Sequence, residues 1–439
     1  MNKLKKENSF SISEHLKKYA VTYMFIAMSV FFIVVSGLDM NYVASQLLLR
    51  LNRNAFIVLA LIIPIIAGMG INFAITIGAM AAQIGLLLTI NWKVTGVPGI
   101  LLAAAITLPL ASFFGFIIGK LLNKMKGQET IGSMILGYFA NGAYQLLFLF
   151  IFGNIIPLND NVTIVGATGV QNTLNLTGDV GLYMAVDGIW HLSFEITLYI
   201  ILALIAVYML VRYFIKKGST IKLACGILAL AVVGGVFQIP VINDVFTGRY
   251  SGGREINIPV ITWAVVGILC LFNAFIMKTR LGQKFRAVGQ NRVVANAAGI
   301  DVNRTRIIAI MISTVLAGWG QIMFMQSDGI GTFQTYAAHE QVGLYAGAAI
   351  LVGGASIDRA TNFQALIGTF LFHSLFITAQ SAASNLFGDS AVGEYFRAFL
   401  SYGVIAVALV IYAWRGAQQS KRGGLNLEAI RGEKAMKKL

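Results

Sequence analysis

Charge is what this chain has least of. Asp, Glu, Lys and Arg supply 12% of its residues, against roughly 25% in a soluble domain. A water-soluble globule with a charged shell is excluded. Cysteine is nearly absent: Cys225 and Cys270 are the only two, each inside an apolar run. They are expected to be buried thiols that behave as small hydrophobes. Histidine numbers four, and no Cys/His pair has metal-ligand spacing. No nucleophile stands beside a base. A Gly-x-x-x-x-Gly-Lys-[Ser/Thr] phosphate loop is also missing. Its nearest approach, Gly115 to Lys120-Leu121, has the wrong spacing and lacks the hydroxyl that would hold Mg²⁺. There Gly115 and Gly119 suit close helix approach instead. No Ala-x-Ala cleavage site follows the first apolar run, so that run reads as a retained span.

What remains is apolar. Hydrophobic residues make up 57% of the chain and mean hydropathy is +0.76. Many windows exceed the roughly 18 apolar residues needed to cross a bilayer. The fold class expected is an all-α polytopic membrane protein. The net charge of +15 could suggest nucleic acid, but its distribution argues for a membrane. Placing both termini and the segment around Arg286 inside leaves only Arg50, Arg53, Lys93, Arg249, Arg254 and Arg397 outside. That asymmetry is the positive-inside pattern. No nucleic-acid partner is expected, and the basic face would lie beside membrane lipid.

Residues 1–18 read as a cytoplasmic segment, 19–414 as a transmembrane domain and 415–439 as a basic cytoplasmic tail. The first span covers about Tyr19 to Val35, followed by an outer loop holding Asp39, Arg50 and Arg53. Phe56 to Ile90 is too long for one upright helix. Pro64, Gly68 and Gly70 divide it into two segments, and the uncharged join at Gly68 to Asn72 should stay inside the protein. Further spans run from about Gly99, Ile131, Ile196, Ile221, Val260 and Ile307. Residues 154–195 are polar and free of cations. They form an outer loop, either folded over the entrance or a plain connector. A second broken pair, Val342 to Thr378, is punctuated by Gly343, Gly347, Gly353 and Gly354. The last span starts near Phe396. The expected total is about ten to twelve transmembrane or re-entrant helices, with an internal repeat suggested by the two broken pairs.

One short basic segment interrupts the apolar runs. Lys278 to Arg306 reads KTRLGQKFRAVGQNRVVANAAGIDVNRTR. Gly282, then Phe285 to Asn291, then Ala297 to Ile300 resemble the cytoplasmic loop of ABC importer permeases, in the branch serving ribose-type sugars, nucleosides and branched-chain amino acids. Gly70 to Met80 is similar to the family's early Gly-rich motif. Gln128 to Tyr138 resembles the start of the span after the first inner loop, and Gly347 to Gly354 with Ala355 and Asp358 the late Gly-Gly motif. Two positions depart from the sugar branch: Asn72 stands where it favours an acid, and Gly137 where Asn is usual. They bear on substrate rather than family.

The resemblance implies a permease subunit of the prokaryotic cell membrane, not an enzyme, working by alternating access. ATP and Mg would be held by a separate ABC ATPase subunit, with no cofactor on this chain. A second permease, in a homo- or heterodimer, and an extracytoplasmic substrate-binding protein complete the implied partners. Residues 278–306 would then be the coupling loop, with Gly282, Phe285, Arg286, Val288, Gly289, Asn291, Ala298 and Gly299 as its coupling residues. The glycines would allow turns at helix ends. Arg286 would pair with a carboxylate or carbonyl of the ATPase, or touch a lipid phosphate. Phe285, Val288 and Ala298 would supply apolar contact.

The residues themselves suggest a pathway. Asn72, Thr76, Gln83, Asn141, Gln145, Asn273, Gln321 and His373 are polar groups stranded in apolar runs. Each should face protein or a cavity, either binding hydroxyls of a nucleoside or simple sugar or bonding between helices. A branched-chain amino acid permease is the alternative within the family. From another class, an ion-coupled secondary transporter would need intramembrane carboxylates, yet nearly every acid falls at a loop or span edge.

Overall fold

The computed structural model describes residues 19–410, apart from 126, 152–154, 156–164, 167–168, 171–172, 178–180, 217–219, 250–251, 331, 335–337, 357–358, 401, 404–405 and 408–409. The terminal segments 1–18 and 411–439, and Asp358, lie outside the described residues. Helices dominate because a backbone in lipid must satisfy its hydrogen bonds internally. Helix α1 (Ala20–Ser36) is followed by α2 (Met40–Leu59) and the short α3 (Ile62–Ile66). Then come α4 (Ile75–Asn91), α5 (Gly96–Lys124) and α6 (Glu129–Phe150). Helices α7 (Phe194–Lys216), α8 (Thr220–Phe237), α9 (Pro240–Thr247) and α10 (Val260–Ile276) form the middle of the chain. The basic segment holds α11 (Arg280–Gln290) and α12 (Arg292–Ala297), and α13 (Val302–Gln326), α14 (Val342–Val352) and α15 (Asn362–Phe387) follow. A further helix continues from 390 to 400.

Among the described residues five helices are long and apolar enough to cross a membrane, or up to seven if each bent pair is one span. Three shorter apolar helices, Ala20–Ser36, Ile75–Asn91 and Val342–Val352, add to them.

At the centre α13 packs against α5, α4 and α2. Glycines let the backbones close in. A Cβ on Gly115 would lie 2.8 Å from Met311 Cα, and one on Gly119 3.0 Å from Ile307 Cα. Across the same helix, a Cβ on Gly318 would lie 2.9 Å from the Gly78 carbonyl oxygen. This is small-residue packing of the kind that joins helices where lipid removes the hydrophobic drive. On the other side α15 packs against α1, α2 and α14.

Several expectations are corrected. Arg50 and Arg53 belong to no loop: α2 starts at Met40 and carries both, and Arg53 is buried. Their i, i+3 spacing places them on one face, turned into protein. Arg397 likewise lies in the helix after residue 390. Neither cysteine is buried in protein, since Cys225 is exposed and Cys270 half-buried. Cys225 sits on a helix face left for a bilayer to cover, whereas Cys270 packs partly against the core.

The polar stretch ends at Ser193, one residue before α7. Its described parts are tied to the rest of the chain by short antiparallel pairs. Strand β1 (Val165–Gly166) pairs with β2 (Gly169–Val170). Strand β3 (Thr173–Asn175) joins β6 (Thr332–Gln334), and β4 (His191–Ser193) joins β5 (Asn257–Pro259). Buried Asp187 anchors the stretch further. It accepts from Asn52 Nδ2 (3.1 Å), Gln326 Nε2 (2.8 Å), Ser327 Oγ (2.8 Å) and the Thr262 hydroxyl. The described part is thus tied to the helices at several points.

Candidate functional site

The basic segment folds as two short helices because its polar residues cap them. Thr279 Oγ1 accepts from Gly282 N (3.3 Å) at the start of α11. Asn291 Oδ1 accepts from Val293 N (2.9 Å) and Val294 N (3.1 Å) at the start of α12. Asp301 Oδ1 accepts from Arg304 N (2.9 Å) at the start of α13. Such caps satisfy the free N–H groups of a first turn. Helix α10 bends by 74° into α11, so α11 lies across the end of the bundle.

The faces of this segment divide sharply. Gly282, Phe285 and Val288 are buried in the chain itself. Arg286, Asn291, Ala298 and Gly299 are exposed, and so are Val293 at 78% and Val294 at 62%. Phe285 and Val288 therefore have no surface to offer a partner. The exposed apolar pair is Val293 and Val294, which the sequence reading passed over. Of the three glycines only Gly299 has a positive φ, +79°. Gly282 and Gly289 instead permit close contact. A Cβ on Gly282 would meet Met277 Cα at 2.5 Å, and one on Gly289 would meet the Ile66 carbonyl and Gly68 N.

That contact places α11 against the break between α3 and α4. Gly68, at φ +71°, reciprocates: its Cβ would lie 2.8 Å from Gly289 Cα. The join from Gly68 to Asn72 is largely buried, as expected, but it lies beside the basic segment. Arg292 donates to the Gly68 carbonyl (2.9 Å) and pairs with Glu129 (2.8 Å). Arg306, almost wholly buried, also pairs with Glu129 and lies on the Met69 sulfur. Ser133 Oγ accepts from Phe73 N (3.0 Å). One carboxylate thus holds together the start of α6, the basic segment and the start of α13. Two guanidinium groups offset the loss of water around it.

The polar candidates separate into two sets. Gln83 on α4, Asn141 and Gln145 on α6, and Gln321 on α13 converge around His339 and Glu340. Gln83 Oε1 accepts from the Tyr144 hydroxyl (2.5 Å) and lies 3.2 Å from His339 Nδ1. Asn141 Oδ1 lies 2.8 Å from His339 Nε2, and its Nδ2 donates to Glu340 Oε1 (3.1 Å). Gln145 Nε2 reaches the same carboxylate oxygen (3.4 Å), and Gln321 Nε2 donates to the Ala338 carbonyl (3.4 Å). Among the described residues, Gln83 Nε2 and Gln321 Oε1 remain buried without a partner. A donor and an acceptor are thus left over at the cluster's edge, where a bound polar solute or water would satisfy them. Tyr144, His339 and Glu340 were missed because none stands alone in a long apolar run.

The other four candidates have local duties. Asn72 Oδ1 accepts from Ala74 N (3.1 Å), and Thr76 donates to the Phe73 carbonyl (3.1 Å), so both shape the start of α4. Asn273 donates to the Leu59 carbonyl (3.2 Å) and bridges α10 to α2. His373 packs against the rings of Phe372 and Phe376, away from the cluster.

Residues 218–409 match the profile of the branched-chain amino acid transport system / permease component family. The chain is 32% identical over 116 residues to the autoinducer 2 import system permease protein of Klebsiella pneumoniae, covering 26% of this chain and 32% of that protein. It is 28% identical over 169 residues to the ribose import permease protein of Escherichia coli, covering 38% and 49%. To the L-arabinose transport system permease protein of Escherichia coli it is 27% identical over 166 residues, covering 38% and 47%. The chain thus spans between a third and a half of the length of these curated relatives. No solved structure matches it.

Proposed function

We propose that this chain is a permease of the ABC importer family and forms the membrane pathway of an ATP-driven importer for a small polar solute, a reading supported by the permease profile matched over residues 218–409. The observation carrying this reading is the two-sided basic segment. Its outer face presents Arg286, Val293, Val294 and Ala298, while its inner face rests on the break that begins α4. An ATPase docking on the outer face would push on the broken helix. That helix carries Gln83 about 12 Å further on, at 1.5 Å per residue. ATP and Mg belong to the partner, because this chain has no phosphate loop. A second permease and an extracytoplasmic binding protein complete the proposed assembly, with both termini and the basic segment cytoplasmic.

The solute is proposed to be a nucleoside or simple sugar. Amides, a carboxylate, an imidazole and a tyrosine ring suit a neutral polyhydroxyl compound. A branched-chain amino acid fits less well. Its carboxylate would approach Glu340, and no cation among the described residues joins that cluster.

Reconstitution with the ATPase and binding protein tests both points. ATP-driven uptake of ribose or a nucleoside is expected, and Gln83→Leu and Glu340→Gln should each reduce it at least tenfold while ATPase association stays intact. Uptake that ignores ATP and collapses with an uncoupler would instead establish an ion-coupled carrier.

A further inference from the structure

At the end of the bundle opposite the basic segment, two arginines share one aromatic ring. The guanidinium of Arg50, on α2, lies 4.8 Å from the centroid of Phe376 on α15. That of Arg397 lies 5.0 Å from the same centroid. Both cations therefore lie against the same ring, and Glu394 pairs with Arg397. Arg53, one turn along from Arg50, has its own partner in the Asp328 carbonyl. Arg50 does not. Among the described residues no acceptor receives a hydrogen bond from its side chain, and its Nε is buried without a partner.

A guanidinium inside a membrane span is costly unless an anion or acceptors meet it. Stacking on a phenyl ring is a weak offset and leaves the N–H donors unmatched. Two cations against one ring also repel each other. Both features are relieved by one added anion. Two separate forks call for an anion with oxygens on more than one side, which suits tetrahedral phosphate better than planar carboxylate. Tyr42, Tyr395 and Tyr402 are exposed nearby in sequence to the two arginines, at 49%, 75% and 56%. Tyrosines of this kind gather at the boundary between lipid and water.

We propose that Arg50 and Arg397, backed by Phe376, form a binding site for a phosphate-class oxyanion. Its sources are a phospholipid headgroup or a soluble phosphate. The site stands apart from the polar cluster and does not depend on the transport reading.

Thermal unfolding of the full chain in a maltoside detergent tests it. One arm adds phosphatidylglycerol, the other inorganic phosphate at fixed ionic strength. Wild type should gain about 2–4 °C from one of the two, the shift expected when a ligand well above its Kd binds only the folded state. Arg50→Gln should lose that gain. Should Arg50→Gln fail to fold, Arg397→Gln, which removes the second cation from the same ring, decides. A shift from the lipid alone assigns a headgroup site, and a shift from phosphate alone a soluble anion. No shift in either arm, or the same shift in the variants, overturns the proposal.

Discussion

Glu129 shows how much one side chain can hold. It is 6% exposed and faces two arginines, one from the middle and one from the end of the basic segment. Arg306 is 1% exposed, and among the described residues Glu129 is the carboxylate it pairs with. Removing Glu129 would strand that charge, and breaking a buried pair from one side costs about 3–5 kcal/mol. Glu129→Ala should therefore lower the unfolding temperature sharply, as read by thiol-reactive dye or scanning calorimetry. Glu129→Gln should be milder, because the amide oxygen still accepts. Stability unchanged in both would show that water or lipid already screens the pair. Each charge is visible in the sequence, and Glu129 lies in the motif quoted for the family. Their meeting is not visible, because Glu129 and Arg306 are 177 positions apart.

The paired helices α11 and α12 carry the docking proposal. Their existence was readable: Thr279 and Asn291 are capping residues, each placed before a short run. Which face turns outward was not. Phe285 and Val288 look like contact residues in a basic loop, yet the 74° bend after α10 folds them inward against the bundle. The outward pair, Val293 and Val294, is the better place to intervene. Val293→Asp with Val294→Asp should abolish co-purification with the ATPase while leaving the unfolding temperature within about 2 °C, since exposed substitutions cost little. Gly289→Trp would confuse the result, because its Cβ already meets the backbone at Ile66. Full retention of the ATPase by the double variant would show that docking lies elsewhere.

Across the molecule, the cover at one end and the basic segment at the other are both fixed to the central helices. Asp187 ties the polar stretch to α2, α10 and the end of α13 through four side-chain donors. Asp187→Ala would strand the buried Ser327 and Thr262 hydroxyls, while Asn52 and Gln326 keep weaker second acceptors in Ser327 Oγ and the Met323 carbonyl; each stranded group costs about 1–3 kcal/mol. The expected result is selective loosening, with faster proteolysis between residues 181 and 193 and slower change in the helical core. Uniform loosening of the whole chain would show that Asp187 supports the bundle rather than the cover.

The class of this protein, its main spans and the basic interruption follow from composition and local pattern. Lipid leaves a chain with 12% charge little choice but helices, and each helix answers mainly to its own twenty residues. Span edges held for the same reason: Val260 and Phe237 sit where the apolar run starts or stops. Long-range packing decided the rest. It drew Arg50 and Arg53 into α2, gathered Gln83, Asn141, Gln145 and Gln321 around a histidine and a glutamate, and left His373 among aromatic rings. A polar residue in an apolar run must find a partner, but its own segment does not say which helix will bring one. That depends on how glycine faces let helices approach, and such contacts join positions hundreds of residues apart.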